Sequence, residues 1–337
     1  MTNGQKAQPM IELWRGGRLE SAHAGHAVIW GPGGMVEAWG DPETVIYPRS
    51  SCKMIQALPM VESGAADAAG LAPRHLALSC ASHQGAALHV AETARWLAGL
   101  GLGEADLRCG AHEPYDRTER DRLIRAGESP CQLHNNCSGK HCGFVTMTRH
   151  MGAGPEYVEL DHPLQRAIRQ VTEEVTQETV AGHGVDGCSA PNFAHSLAGL
   201  ARAMQAFAAA RDTGSARQKA MTRLREAMAQ HPELVAGEGR ACTELMRAMG
   251  GTVAIKTGAE AVFVAMIPQL GLGLALKIVD GATRASEAAV VALLARIGVL
   301  DAAHPLAQKR LPGTQRNWRG LETGELRLAA GFAGALS

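Results

Sequence analysis

The sequence predicts an α+β fold in which both ends of the chain build one antiparallel sheet and the middle forms a helical lobe. Three observations carry that prediction. Period-two alternation and short apolar runs occupy the two ends, apolar stripes at three- and four-residue steps occupy the middle, and no repeat or low-complexity tract divides them. The 337 residues read as a single domain 1–337, with a sheet lobe from roughly 10–100 and 250–330 and a helical lobe from roughly 105–250.

The first stretch, "MIELWRGG" followed by "HAVIWGPGGMVEAWG", alternates apolar and polar positions around a "GPGG" turn, which predicts a β-meander. From Ser51 a helix is expected, with Met54, Leu58 and Val61 near helical spacing and Pro59 bending it or ending it early. "HLALSCAS" reads as a buried strand, and "LHVAETARWLAGLG" as a helix closed by glycine. In the middle, "DHPLQRAIRQVTEEVTQ", "SLAGLARAMQAFAAARD" and "ARQKAMTRLREAMAQHPE" each carry an amphipathic stripe, and "GHGVDGCSAPNF" reads as a glycine-rich loop. "GTVAIKTG", "AVFVAMIP" and "GLGLALKIV" suit adjacent strands, and "ASEAAVVALLARIG" a last helix.

Lysine plus arginine and aspartate plus glutamate number 33 each. With no cluster of either sign, the chain lacks the electrostatic footprint of a nucleic-acid or anionic-membrane partner, and a small ligand is expected. No run of about 20 apolar residues appears and the start does not look like a signal peptide, so a cytoplasmic protein is expected. Its eight cysteines are then reduced thiols that pack, bind metal or react.

Four constellations can carry chemistry. In "RSSCK", Ser50 and Lys53 have S-x-x-K spacing at a helix entrance, where an amine can reach a hydroxyl; a solvated lysine beside a capping serine is the plain alternative. In "CASHQG", Ser82 and His83 leave a predicted strand into a glycine turn, where backbone donors are often unpaired; an ordinary cap at Ser82 explains the pattern too. In "HNNCSGKHCGF" and "GVDGCS", Cys137 and Cys188 sit on two loops, with His141, Cys142 and His183 as further candidates for a zinc site or for simple packing. "AGEGRACTELM" sets glycines around Glu238 ahead of Cys242, which suits an anion at a helix start or a sharp turn.

Taken in order, "RSSCK", "LSCASHQG", "LRCGAHEP", "NNCSGKHCG", "DHPLQ", "DGCSAP", "HPELVAGEGRACTELM", "KTGAEAVF" and "NWRG" resemble the L-asparaginase II family of the rhizobial, thermolabile type. The resemblance spans nearly the whole chain. It implies a fold similar to that of serine β-lactamases and glutaminases, the hydrolysis of L-asparagine to L-aspartate and ammonia, and a homodimer. It implies two serine–lysine pairs, Ser50 with Lys53 and Ser82 with Lys256, and a zinc ion held by Cys137, Lys140 and Cys188. Arg49, His83, Gly110, Asp186, His141 and Cys242 are nominated as substrate-binding or supporting residues, with Asp186 meeting the substrate ammonium. Ser51, Cys52 and Cys142 depart from the family pattern. Another serine–lysine amidohydrolase, such as a glutaminase or β-lactamase-like enzyme, and a non-catalytic zinc or amino-acid binding protein are the alternatives.

Overall fold

Strands from the two ends of the chain do build one sheet, as the alternation at the termini predicts. The computed structural model describes residues 6–333. The sheet contains β1 (Gln8–Arg15), β2 (Arg18–Gly31), β3 (Gly34–Trp39), β4 (Ala254–Gly258), β5 (Val262–Ile267), β6 (Leu272–Ile278), β7 (Thr314–Arg316) and β8 (Glu322–Leu328). Its order is β7-β8-β1-β2-β6-β5-β4, with β3 also paired to β2, and its pairings are antiparallel. Gly16 and Gly17, at φ +54° and +76°, join β1 to β2 in the two-residue turn whose positive φ angles match strand twist.

All six residues of β5 are buried, so both faces of the sheet are covered. The helices Leu197–Ala209 and Thr283–Ile297 supply that cover. Gly273 on β6 sets how closely the first of them approaches: a Cβ there would lie 2.2 Å from the Ala201 carbonyl oxygen.

The chain divides into two compact units. One takes the described residues through Ser51, Ser196–Ala209 and Glu244 onward; the other takes Cys52–His195 and Ala210–Thr243. The expected lobe boundary near residue 100 therefore falls at 51/52, and a helix from the predicted helical middle belongs with the sheet. The main reason is "HLALSCAS", which forms the helix Pro73–Ser79 and not a strand. A short run that is apolar all round has no period to separate strand from buried helix. Pro73 at the first turn and His75 Nδ1, which accepts from Ala72 N at 2.9 Å, decide for helix.

In this second unit the helix Lys53–Glu62 is buried from Lys53 to Val61 and packs against Ser138–His150, Pro163–Thr176 and Ala216–Gln230. Pro59 does not end it, since Ser63 N still donates to Pro59 O at 3.1 Å. Gly139 lets the helix Ser138–His150 come against Pro73–Ser79, because a Cβ would stand 2.4 Å from Leu78 O. "GHGVDGCSAPNF" forms a hairpin, Gly182–Val185 paired with Pro191–Ser196. Among the described residues no helix is long and apolar enough to cross a membrane.

Candidate active site

Lys53 is the first residue of its helix and is 1% exposed. A buried lysine Nζ must find polar protein partners. Lys53 does so entirely within the helical unit: Nζ donates to the Ala81 carbonyl, to Ser82 Oγ at 3.0 Å and to Cys137 Sγ at 3.1 Å. The lysine of the S-x-x-K motif thus serves Ser82, the serine of the glycine turn. The preceding 3₁₀ turn, Arg49–Cys52, ends before Lys53, and the acceptors that close the helix Pro73–Ser79 satisfy the amine.

Two further sulfurs and a second lysine adjoin this pair. Cys137 caps the helix Ser138–His150, its amide held by Asn135 Oδ1 at 2.8 Å. Lys140, one turn on, donates from Nζ to Cys188 Sγ at 2.8 Å. The hydrogen bond between the Cys137 and Cys188 side chains polarises the sulfurs in opposite senses. It holds Cys188 well below the usual thiol range, against burial and with help from Lys140, and it pushes Cys137 up to about 12 with burial adding to the rise. Burial alone would lower Lys140, but the charges of Cys188 and Cys137 outweigh it and hold the amine above the ordinary lysine range. These surroundings favour the charged forms of Cys188 and Lys140.

Neutral hydrogen bonds brace the surrounding loops. Ser82 N donates to Val235 O at 2.8 Å and His83 N to Asn136 O at 3.1 Å, so these two amides of the turn are engaged, contrary to the expectation that its donors stay unpaired. Gly85 N donates to His83 Nδ1 at 3.1 Å, which places the ring proton on Nε2; that N–H donates to Ser138 Oγ at 2.9 Å, and Ser138 donates to Leu133 O at 3.0 Å. Burial, and next the adjacent His89, hold His83 neutral, and the two rings stack at 4.6 Å. Gly85, at φ +71°, has no room for a side chain: a Cβ would lie 2.8 Å from His134 O.

Gly237 of "AGEG" faces Gln84, whose Nε2 donates to Asp116 Oδ2 at 3.0 Å. Cys242 is buried in the same unit. Asn135 Nδ2 donates to Gly110 O at 2.8 Å. Asp186 Oδ1 accepts from Gly187 N at 2.7 Å at the hairpin end that carries Cys188. His141 is fully buried, with Nδ1 2.9 Å from Tyr157 Oη.

The sheet unit holds the other nominated residues. Ser50 lies in the 3₁₀ turn, where Ser51 Oγ donates to Pro48 O at 2.7 Å. Gly258 admits β4 beside that turn, since a Cβ would lie 2.6 Å from Pro48 O. Lys256, on β4, is 0% exposed and donates to Thr257 O at 2.8 Å. Arg49 and Glu260 both adopt positive φ, +52° and +58°, and their charged groups stand 4.0 Å apart. Strained non-glycine residues of this kind cluster at functional positions.

The L-asparaginase II family profile matches residues 11–328. The chain belongs to the L-asparaginase II family. This L-asparaginase II chain is therefore an amidohydrolase. No protein of curated function matches it. Among solved structures it is similar to a β-lactamase from Mycobacterium bovis, at 12% identity and TM-score 0.43, covering 78% of this chain and 89% of that one. It is also similar to a protein from Bacteroides dorei DSM 17855 whose assignment as a β-lactamase is provisional, at 12% identity and TM-score 0.41, covering 75% and 84%.

Within the L-asparaginase II chain, the helical unit brings together Lys53, Ser82, His83, Cys137, Lys140 and Cys188, while Arg49, Ser50 and Lys256 belong to the sheet unit. Lys53, paired with Ser50 by helical spacing, places its Nζ on Ala81 O, Ser82 Oγ and Cys137 Sγ. Asn136, whose Oδ1 lies 2.9 Å from Cys137 Sγ, and Tyr157 escaped sequence reasoning. Asn136 was legible as part of the Asx-rich approach to a helix cap; Tyr157, in "GPEYVEL", carried no signal.

Proposed function

We propose that the chain hydrolyses L-asparagine to L-aspartate and ammonia, with Ser82 as nucleophile and Lys53 as its base. The observation that supports this most is the 3.0 Å contact between Lys53 Nζ and Ser82 Oγ on a lysine that is otherwise buried. In the reaction, Lys53 acts as the neutral amine, its two N–H groups on the Ala81 carbonyl and Cys137 Sγ and its lone pair toward Ser82 Oγ; Ser82 Oγ attacks the side-chain carboxamide carbon while its proton passes to that lone pair. The C–N bond then breaks, and the proton on Lys53 leaves with ammonia. Water attacks the resulting ester, Lys53 takes a proton from it, and that proton returns to Ser82 Oγ as aspartate departs. Asp186 and Gly110, in the same unit as Ser82, are assigned to holding the amino acid.

Zinc belongs to the same reading. Among the described residues no three His, Cys, Asp or Glu side chains gather as a metal site, and the donor set proposed here includes a lysine. Cys137, Cys188 and Lys140 fit in chemistry, being two sulfurs and an amine nitrogen already in mutual hydrogen-bond contact and buried. Zinc bound there supplies a cation that keeps both sulfurs as thiolates and the lysine neutral, and ties two loops together. Cys137 also accepts from Lys53, which couples that set to the nucleophile. A homodimer in the cytoplasm completes the proposal.

The test is ammonia release from L-asparagine and from L-glutamine at equal enzyme. A faster rate with asparagine supports the assignment, and a faster rate with glutamine replaces it with a glutaminase.

A further inference from the structure

A cavity of about 430 Å³ is lined by residues of the sheet unit alone, and it has the size of a small-molecule site. Two of its lining residues are set by strand register. His26 on β2 and Lys277 on β6 are direct partners across the antiparallel ladder, so both side chains stand on one face of the sheet.

The main chain takes up one edge of the His26 ring. Asp41 N donates to Nδ1 at 2.8 Å, and a Cβ on Gly40 would lie 2.5 Å from the same nitrogen. Because Nδ1 accepts, the neutral ring carries its proton on Nε2. Burial holds His26 below the ordinary histidine value, which keeps the ring neutral. His26 is only 6% exposed and lines the cavity, yet among the described residues its Nε2 has no hydrogen-bond partner.

Lys277 supplies the charge. Its Nζ donates to the carbonyl oxygens of Glu260 and Ile278, which leaves a third N–H without an acceptor among the described residues. The carboxylate of Glu260 faces Arg49 instead, at 4.0 Å. Burial pulls the Lys277 amine below its ordinary range, and an anion beside it would oppose that pull. The rest of the wall is apolar. Val45, Tyr47 and Val279 are 56%, 50% and 58% exposed around this one concavity, and covering them takes a ligand with an apolar body.

We propose that this cavity binds a small monocarboxylate with an apolar body: the carboxylate accepts from His26 Nε2–H and Lys277 Nζ, and the body covers Val45, Tyr47 and Val279. The site is additional to the amidohydrolase reaction and does not rest on it.

The test titrates phenylacetate into the full chain, followed by calorimetry and by long-range ¹H–¹⁵N correlation of the histidine rings. Saturable binding that moves the His26 Nε2 signal is expected. Lys277→Met keeps the stem and removes the charge, and it is expected to weaken binding at least about tenfold, the size of one charge-assisted hydrogen bond. With the parent protein, 2-phenylethanol lacks the anion and L-aspartate lacks the apolar body, and each is expected to bind at least about tenfold more weakly than phenylacetate.

No binding of phenylacetate by the folded parent overturns the site. Binding that leaves the His26 signal in place, or that survives Lys277→Met unchanged, shows that the carboxylate is held elsewhere. Equal affinity for 2-phenylethanol overturns the role of the anion, and equal affinity for L-aspartate at the His26 signal overturns that of the apolar wall. The ligand series uses the parent alone, so it decides the proposal where Lys277→Met fails to fold. Binding is read without turnover: a parent that releases no ammonia from L-asparagine or L-glutamine fails the reaction assignment and leaves this test standing.

Discussion

Cys188 and Cys142 are buried thiols in the same unit, and their surroundings drive them to opposite states. Cys188 is held well below the usual thiol range, first by the hydrogen bond from Cys137 and then by Lys140 at 2.8 Å. Cys142, two residues past that lysine on the helix Ser138–His150, has the Thr93 carbonyl oxygen 4.0 Å from its sulfur and is pushed well above the range by burial. Burial alone makes a thiol inert. The difference teaches that reactivity in "CSGKHC" is placed by the second group each sulfur meets, and that helical phase selects which sulfur meets a cation.

The contrast can be broken most forcefully at Lys53 and Ser82, which share the charged side of the cluster. Ser82→Ala and Lys53→Met are each expected to lower ammonia release by at least about 10³-fold, in the range seen when a nucleophile or its base is removed. Lys140→Ala should next separate the two cysteines: zinc affinity, read by titration with a competing chelator, falls by more than about tenfold, whereas Cys142→Ala retains the metal. Retained zinc in the lysine variant excludes Lys140 as a ligand.

Two further substitutions act on packing. Gly139→Ala pushes a Cβ against Leu78 O, and overpacking of this kind costs about 1–3 kcal/mol in urea unfolding. Cys142→Ala removes one buried sulfur and should cost about 1 kcal/mol, with activity unchanged.

Acid provides a comparable probe of the His83–His89 stack. Both rings have pKa values pushed below the ordinary histidine value of 6.5, His83 first by burial and then by His89, and His89 by burial. The unfolded chain therefore binds more protons than the fold as pH drops below 6.5, and stability rises with pH through that window. The loss on acidification should approach about 1.4 kcal/mol per pH unit for each ring, and His89→Gln should flatten the slope of the urea midpoint against pH.

Much of the fold was legible because its strands alternate cleanly and its long helices carry stripes. Gly16 and Gly17 announce their turn, and "AVFVAMIP" needs no period to read as a buried strand between glycines. The unit boundary was not legible: "HLALSCAS" is apolar on every side, so its helical state depends on a proline and a histidine cap. For the site, Lys53, Ser82, Cys137, Lys140 and Cys188, each present in the ordered motifs, fall in one unit. Their pairing was hidden. Helical spacing argued for Ser50 as the partner of Lys53, but a buried amine follows its acceptors, and Ala81 O, Ser82 Oγ and Cys137 Sγ come from segments 28, 29 and 84 positions away.

The central claim is that Ser82 carries the acyl group. Acid-quenching the enzyme during turnover of L-asparagine and mapping the modified peptide by mass spectrometry tests it most directly. An aspartyl ester on Ser82 is the predicted result, and an ester on Ser50 with Ser82 unmodified would contradict it.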